Sequence, residues 1–392
     1  MPFIGNKPTS VPLTSSDIQD GTITASDLAD STITSGKLAS GVVSNQSAFK
    51  NIIINGDMSI AQRGTSASSI ASNGYHSCDR WRYAESSSAV VTISQATDVP
   101  TGQGFAKSFK VDCTTADASL GAAEYVLLQQ KIEGQNLQYL KKGTSSAESL
   151  TLSFWVKSTK TGTFIAMLYD RDNTRQIAKS YTVSSADTWE KKTITFAGDT
   201  SGTLDNDNAS SLELWLWLGV GSDYSSGTLA TSWETETAAN QAVGQVNAVD
   251  STSNNFLITG IQLEAGTTAS DFEFLPYDVN LRRCQRYFQT YPLDGDQDYP
   301  ICNMANWNGS TYYGKFDFIV PFRTAPSWTR TAGGHRLYTS NSNALISSAS
   351  LEKVDMTSTN IVANPSSTIG SAGEAGFFWS ENGAKNEFSA EL

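Results

Sequence analysis

The sequence predicts an all-β protein with three parts: an N-terminal intertwined repeat neck, a jelly-roll-like β-sandwich and a small C-terminal β domain. Three observations support this class: a composition suited to short strands, a five-residue repeat near the start, and apolar runs separated by turn-forming residues. Aromatic residues make up 10% of the 392 residues and charged residues only 17%. This balance is typical of strands joined by turns rather than of helical bundles.

The repeat covers residues 14–43, which read TSSDIQDGTI, TASDLADSTI and TSGKLASGVV. An apolar residue stands at every fifth position: Leu13, Ile18, Ile23, Leu28, Ile33, Leu38 and Val43. With a period of five, these side chains would not all lie on one face of a helix, and they would not all lie on one face of a strand. Three chains winding together would bury them in a shared core, so residues 16–48 are expected to form a trimeric neck. A flexible Ser/Thr-rich linker is the alternative.

The middle of the chain carries β-prone runs bounded by Gly, Asn, Asp and Ser. The clearest runs are residues 150–158, 164–170, 192–198, 212–220 and 256–264. In the fourth run every second residue from Leu212 to Leu218 is leucine, which places the leucines on one face of a strand. Two such faces packed together predict a sandwich over residues 49–278.

One short helix and a smaller β unit are expected after the sandwich. The helix is predicted within residues 279–291, with Cys284, Tyr287, Phe288 and Tyr291 on its buried side, and it would form a joint. Residues 292–392 contain further turn-bounded β-prone runs and are predicted to form the distal domain.

Sequence motifs mark both ends of the predicted sandwich. Residues 51–64 read NIIINGDMSIAQRG and residues 79–81 read DRW, while ITGIQLEAG begins at Ile258 and CQRY at Cys284. This set resembles a β-sandwich module of bacteriophage tail fibre and tail spike proteins. The MPFIGNKPT start with its DIQDGTIT-type repeats is similar to the virion-attachment end of tail fibres from short-tailed phages of aquatic bacteria.

The resemblance covers about residues 1–330 and implies a homotrimeric virion protein. It implies that residues 1–15 attach to phage tail or baseplate proteins and that residues 292–392 point outward as a receptor-binding tip. The expected function is host-surface recognition by a tail subunit that is made in the host cytoplasm and catalyses no reaction. Two alternatives are a tail adaptor or capsid decoration protein, and a polysaccharide-degrading tail spike.

Two groups of aromatic residues are candidate contacts to a host glycan or protein receptor. Opposite the leucines of the fourth run lie Glu213, Trp215 and Trp217, a surface on which sugar rings could stack. Burial of this face against a neighbouring protomer or under the loop 221–253, which carries Trp233, is the favoured interpretation, and glycan contact is the alternative. The distal candidates are Trp307, Tyr312, Tyr313 and Trp328, because amphipathic aromatics are common interface anchors.

Other motif residues are predicted to have structural roles. Asp57 stands beside a glycine and is expected to fix a turn, and Arg80 and Trp81 of the DRW motif are interpreted as architectural. The four cysteines have neither metal-site nor dense disulfide spacing and are predicted to be free thiols.

Several function classes have little support. His76 and His335 are the only histidines, and no G-x-S-x-G or HExxH motif is present, so no catalytic site, metal or cofactor is predicted. The acidic runs DRDN at 170–173 and DGDQDY, with Asp294, Asp296 and Asp298, could attract calcium but are interpreted as turns. The net charge of −12 without a basic run disfavours nucleic acid, and no apolar stretch is long enough for membrane insertion.

Overall fold

The computed structural model describes Thr24 and residues 49–292, 298–340 and 342–392, and it confirms the all-β class. Thirteen strands in the described residues belong to the sandwich: β1 (Ser66–Ile70), β2 (Gly74–Tyr75), β3 (Arg82–Glu85), β4 (Val90–Ala96), β5 (Ser108–Thr115), β6 (Tyr125–Glu133), β7 (Leu150–Ser158), β8 (Gly162–Asp170), β9 (Arg175–Val183), β10 (Glu190–Phe196), β11 (Ser210–Val220), β12 (Glu234–Thr235) and β13 (Asn255–Ala265). Short 3₁₀ turns cover Gly134–Asn136, Gln138–Leu140, Ser222–Tyr224 and Ala238–Asn240.

The sandwich strands form two antiparallel sheets. The six-stranded sheet has the order β1-β4-β5-β13-β7-β10, and the seven-stranded sheet has the order β12-β9-β8-β11-β6-β3-β2. The five runs predicted from sequence are strands β7, β8, β10, β11 and β13, with ends displaced by at most two residues. Their alternation is preserved: Leu212, Leu214, Leu216 and Leu218 are all buried in the core between the sheets.

The single α-helix of the described residues, α1 (Tyr277–Gln285), is shorter than predicted. Residues 279–291 were expected to be helical, but Phe288–Tyr291 form strand β14, which pairs with β22 near the end of the chain. Aromatic and β-branched residues suit a strand as well as a helix face. The secondary structure of residues 288–291 is therefore decided by their pairing partner β22, which lies about a hundred residues away in sequence.

The distal strands form a three-stranded sheet and a closed barrel. They are β14 (Phe288–Tyr291), β15 (Tyr299–Asn306), β16 (Tyr312–Asp317), β17 (Ser327–Arg330), β18 (His335–Thr339), β19 (Asn343–Glu352), β20 (Ser358–Pro365), β21 (Ala375–Ser380) and β22 (Asn386–Ser389). The sheet has the order β14-β22-β17, and the barrel closes in the order β15-β16-β20-β19-β18-β21. The barrel has its own core, which includes Tyr312, Phe316 and Phe378.

The opening motif, residues 51–64, lies against strand β13 through Asn51 and Gly56. The Asn51 side chain donates to the Ile261 carbonyl and accepts from the amide of Leu263. At Gly56 a Cβ atom would lie 2.0 Å from the Ile261 carbonyl oxygen, so only glycine permits this approach. The opening and closing motifs are far apart in sequence and meet here through direct contacts.

Arg80 of the DRW motif lies at the centre of the contact between sandwich and distal domain. Its guanidinium is fully buried, pairs with Glu391, donates to the Lys131 carbonyl and lies 3.5 Å from the centre of the Tyr287 ring. Tyr287 and Arg286 of the CQRY motif both bind the Glu133 carboxylate of β6. Residues 51–392 accordingly form one compact unit.

The first prediction concerns Glu391. Substituting Glu391→Ala leaves Arg80 buried without its carboxylate partner, which should lower the free energy of unfolding by about 3–5 kcal/mol. Equilibrium unfolding in urea measures this change. The matched control is Glu381→Ala, because Glu381 pairs with Arg336 at the surface, where both side chains are about one third exposed. Equal losses in the two variants would contradict the central position given to Arg80.

His335 is a buried titratable group in the barrel. Its Nδ1 lies 3.1 Å from the Thr331 carbonyl oxygen, and its ring packs 5.4 Å from that of Phe378. Burial, assisted by the positive charge of Arg330, lowers the pKa of His335 from 6.5 to about 4. The folded protein therefore keeps a neutral imidazole where the unfolded chain would bind a proton.

This difference predicts a pH effect with a defined sign. Between pH 6.5 and pH 4 the unfolded state binds more protons at His335 than the folded state does. The contribution of neutral His335 to the free energy of unfolding is therefore present above pH 6.5 and is lost as the pH falls. The variant His335→Gln should show a shallower fall in unfolding free energy over this window, by on the order of 2 kcal/mol. Thermal or urea unfolding at several pH values measures how the free energy of unfolding changes with pH. If the parent and the variant lose stability equally as the pH falls, the low pKa assigned to His335 is wrong.

Candidate functional site

The outer face of the seven-stranded sheet contains a cleft of about 230 Å³. Its floor comes from neighbouring strands β3, β6 and β11, and one wall comes from the segment between β11 and β13. The lining residues are Arg82, Ala84, Tyr125, Leu127, Gln129, Trp215, Trp217, Tyr224, Glu236 and Gln241. They face away from the leucine core because side chains alternate along each strand.

Aromatic rings form a continuous cluster in the cleft. The Trp215 and Trp217 ring centroids are 5.6 Å apart, and the Trp217 centroid lies 5.7 Å from that of Tyr224. Trp215 also stacks on Tyr169 of strand β8 at 5.3 Å. Each ring is thus held by another ring, which limits side-chain motion and gives the cleft a preformed aromatic surface.

A buried carboxylate fixes the polar part of the floor. Glu213 is fully buried and accepts hydrogen bonds from Trp215 Nε1 at 2.8 Å and from Gln129 Nε2 at 2.5 Å. Gln129 Oε1 in turn accepts from Arg82 Nη1 at 2.9 Å. This chain of bonds sets the ring plane of Trp215 and the position of the Arg82 guanidinium.

Glu236 organises the wall of the cleft. Its carboxylate accepts from the Tyr169 hydroxyl at 2.8 Å and from Gln241 Nε2 at 3.2 Å. Burial, strengthened by the bond to Glu236, raises the pKa of the Tyr169 hydroxyl to about 12. Tyr169 therefore remains a hydrogen-bond donor at neutral pH.

Two buried polar atoms of lining residues have no hydrogen-bond partner in the part of the chain that the structure describes. They are the Trp217 Nε1 donor and the Gln241 Oε1 acceptor. Buried polar groups are nearly always paired, so a water molecule is the expected partner of each atom. The half-buried Trp215 ring, with Arg82 and Glu236 beside it, supplies the apolar and polar groups that a polyhydroxylated ligand requires.

The structure brings Trp215 and Trp217 together as the sequence suggested, and it gives each a different environment. Trp217 is only 1% exposed and is covered by Tyr125 and Tyr224, whereas Trp215 is half-buried. Tyr224, which lies beside Trp217, belongs to the loop 221–253. Trp233 of the same loop packs against the sandwich core and donates to the Ala197 carbonyl.

The four distal candidates divide into two pairs. Tyr312 is fully buried in the barrel, whereas Trp328 is half-buried and stacks on Phe388 at 5.9 Å beside the same core. Trp307 is 74% exposed, and its ring centroid lies 6.2 Å from that of the exposed Tyr313. Tyr312 and Tyr313 differ because adjacent residues of a strand point to opposite faces.

The DRDN segment is a turn whose first carboxylate binds a lysine. The Lys142 ammonium is buried and contacts the carboxylates of Asp170 and Asp199, the latter at 2.9 Å. It also donates to the carbonyls of Ser201 and Gly202 at 3.1 and 2.9 Å. The ammonium neutralises the charge that could have attracted a cation.

Several other predictions concern features away from the cleft. Asp294, Asp296 and the neck residues Leu13, Ile18, Ile23, Leu28, Ile33, Leu38 and Val43 lie outside the described residues. Within the described ranges no group of three or more His, Cys, Asp or Glu side chains is placed to hold a metal ion. The helix found in those ranges is too short and polar to cross a membrane. All four cysteines are free.

Comparison with known proteins gives no family assignment. No protein-family model and no curated protein matches the chain. Among solved structures, tailspike protein 4 of bacteriophage CBA120, an enzymatically active domain, matches with 14% identity and a TM-score of 0.31. The match covers 55% of this chain and 21% of the tailspike chain, so this chain spans about a fifth of that protein's length.

Carbohydrate-binding proteins are also among the similar structures. A putative sugar binding protein from Bacteroides thetaiotaomicron matches with 13% identity and a TM-score of 0.28, covering 55% of this chain and 99% of that one. A family 11 carbohydrate-binding module from Clostridium thermocellum, in complex with a mixed-linked tetrasaccharide, matches with 15% identity and a TM-score of 0.26, covering 53% and 96%. TM-scores of this size do not establish a common fold.

The Lys142 site yields a stability prediction. Substituting Lys142→Met leaves Asp170 and Asp199 without the ammonium between them, although Arg175 still binds Asp199. The free energy of unfolding should fall by about 3–5 kcal/mol, as expected when one partner of a buried ion pair is removed.

The neighbouring residue supplies the control for this experiment. Lys141 pairs with Glu148 at the surface, where the lysine is 55% exposed, so Lys141→Met should change stability little. Urea unfolding of both variants measures the difference. If Lys142→Met is as stable as the parent protein, Lys142 is not the counter-ion that this geometry indicates.

Proposed function

We propose that this protein is a non-enzymatic, glycan-binding subunit of a bacteriophage tail fibre, and that the cleft over Trp215 and Trp217 binds a saccharide. The observation that carries the proposal is one cleft in which the half-buried rings of Trp215, Tyr125 and Tyr224 stand beside the side chains of Arg82 and Glu236. The C–H faces of a sugar ring pack on aromatic rings, while its hydroxyl groups donate and accept hydrogen bonds.

The polar groups of the cleft favour binding over bond cleavage. Glu213 is fully buried under three hydrogen-bond donors, which include Ser210 Oγ at 3.2 Å. Glu236 holds Tyr169 and Gln241. Carboxylates used in this way orient side chains, whereas glycoside cleavage requires one carboxyl group to transfer a proton and another to face the sugar ring.

The tail-fibre part of the proposal rests on the sequence motifs. The repeat before residue 49 and the NGD, DRW, ITGIQLEAG and CQRY motifs resemble those of tail fibre proteins, and we propose a homotrimeric virion protein on that basis. In the structure the DRW and CQRY motifs meet where Arg80 contacts Tyr287, and the opening motif meets ITGIQLEAG where Asn51 bonds to Ile261 and Leu263. A tail adaptor or capsid decoration protein would share the fold and would have no ligand in the cleft.

The substitution Trp215→Ala tests the proposal. Removing this ring deletes the stacking surface while the buried leucine face of β11 is retained, so affinity for at least one saccharide class should fall about tenfold or more. Binding to an array of immobilised oligosaccharides, followed by calorimetry on those retained, measures the loss.

The control for this experiment is Trp189→Ala. Trp189 donates to Asp98, at the side of the six-stranded sheet and away from the cleft. This variant should bind as the parent protein does. A Trp215→Ala variant that binds every saccharide with the parent affinity would remove the cleft from the proposal, and a parent protein that binds none would favour the adaptor function.

A further inference from the structure

Positively charged side chains stand together at one side of the aromatic cleft. Arg82 of β3 lines the cleft and pairs in register with Gln129 of β6. Lys131 follows Gln129 by two residues on β6 and therefore lies on the same outer face of the sheet. The term cationic edge is used below for Arg82 and Lys131. A third cation, Arg171 in the turn after β8, lies 4.0 Å from Glu213, which pairs in register with Lys131.

These cations come from separate segments of the chain, so no basic run in the sequence reveals them. Glu213, the carboxylate between them, is fully buried and already accepts three hydrogen bonds. Within the described ranges, neither Arg82 nor Lys131 forms an ion pair, and the side-chain bond of Arg82 is to the neutral amide of Gln129 at 2.9 Å. The cationic edge thus carries positive charge that its surroundings do not neutralise.

The pKa of Lys131 agrees with this surplus of positive charge. Burial lowers the pKa of the Lys131 ammonium from its ordinary value. The Glu213 carboxylate opposes this shift but does not reverse it, because the guanidinium groups of Arg82 and Arg171 act in the same direction as burial. An anionic group placed beside Lys131 would stabilise its charged form.

The acidic groups of the cleft stand apart from the cationic edge. Glu236 bonds to the hydroxyl of Tyr169 on β8, and β11 separates β8 from the strands of the cationic edge. Asp223 precedes Tyr224, whose ring packs against Tyr125 at the start of β6, whereas the cationic edge is near the end of that strand. A ligand that spans the cleft therefore meets positive charge at one side and acceptor oxygens elsewhere.

We infer that the cleft binds an acidic saccharide and that the cationic edge holds a carboxylate of the sugar. The inference rests on the proposed function and deepens it by naming the ligand class. Arg82 uses Nη1 for Gln129, which leaves Nε and Nη2 to donate to both oxygens of a planar carboxylate. Lys131 supplies a second positive charge beside it. Glu236 can accept hydrogen bonds from the sugar hydroxyl groups on the other side of Trp215.

A neutral saccharide fits the same cleft less well. Arg82 and Lys131 are already half-buried, and a ligand above them removes more of their water. A charge that loses water without gaining a counter-charge is costly, whereas a carboxylate restores the lost interaction. The whole protein has a net charge of −12, so the cationic edge is a local site for an anion rather than part of a basic surface.

The test compares the full-length parent protein with Arg82→Gln, Lys131→Met, Trp215→Ala and the control Lys315→Met. Lys315 is 65% exposed on β16 of the barrel, so the control removes one positive charge away from the cleft. The probes are oligosaccharides that contain uronic acid, the same oligosaccharides after reduction of each carboxylate to a hydroxymethyl group, and sulfated oligosaccharides. Calorimetry measures affinity, and thermal unfolding shows whether each variant is folded.

The parent protein should bind at least one uronic acid oligosaccharide about tenfold or more tightly than its reduced form. Arg82→Gln and Lys131→Met should each diminish this preference, because each removes a charge from the cationic edge. Lys315→Met should keep the preference of the parent. Trp215→Ala should weaken binding of the acidic and the reduced form alike, because both would stack on the same ring.

The inference and the proposed function can fail separately. Equal affinity of the parent for the acidic and reduced forms, with loss of both in Trp215→Ala, would overturn the acidic ligand and leave the saccharide cleft intact. A full preference retained by folded Arg82→Gln and Lys131→Met would remove the cationic edge from the site. Tighter binding of the sulfated probes would overturn the carboxylate. A parent protein that binds none of the probes would contradict both.

Discussion

The buried guanidinium of Arg80 is the constraint on which the arrangement of this protein depends. A charge can be buried only where partners converge on it, and here a carboxylate from Glu391, the ring of Tyr287 and the Lys131 carbonyl all do so. These partners come from the sandwich, the joint and the last described residues of the chain. The sandwich and the barrel are consequently fixed together rather than linked by a flexible segment.

This rigidity holds the cleft and the barrel in a defined relation to each other, because both belong to one compact unit. The cleft is built on strands β3, β6 and β11 of the sandwich, and β3 begins two residues after Arg80. The ion pair and the cleft are thus linked through the fold.

Much of the fold and of the cleft could be predicted from sequence where the pattern of residues is local. The alternation from Leu212 to Leu218 located a strand, its buried face and the two tryptophans opposite. Contacts between distant segments could not be predicted in this way: residues 288–291 became a strand because β22 pairs with them, and Tyr312 turned inward because the barrel closes. Glu236 and Gln241 were missed because a loop residue has no periodicity that indicates what it faces.

The most direct test of the central claim is the NMR signal of the Trp215 indole Nε1–H during titration with a saccharide retained by the parent protein. Trp215 is half-buried in the cleft, and its Nε1 donates to Glu213 in the floor. A sugar ring that stacks on this indole should therefore shift the resonance strongly and in a saturable manner. The Trp189 indole, which donates to Asp98 away from the cleft, should not move. A saccharide that binds tightly while the Trp215 resonance stays unchanged would contradict the account of the cleft.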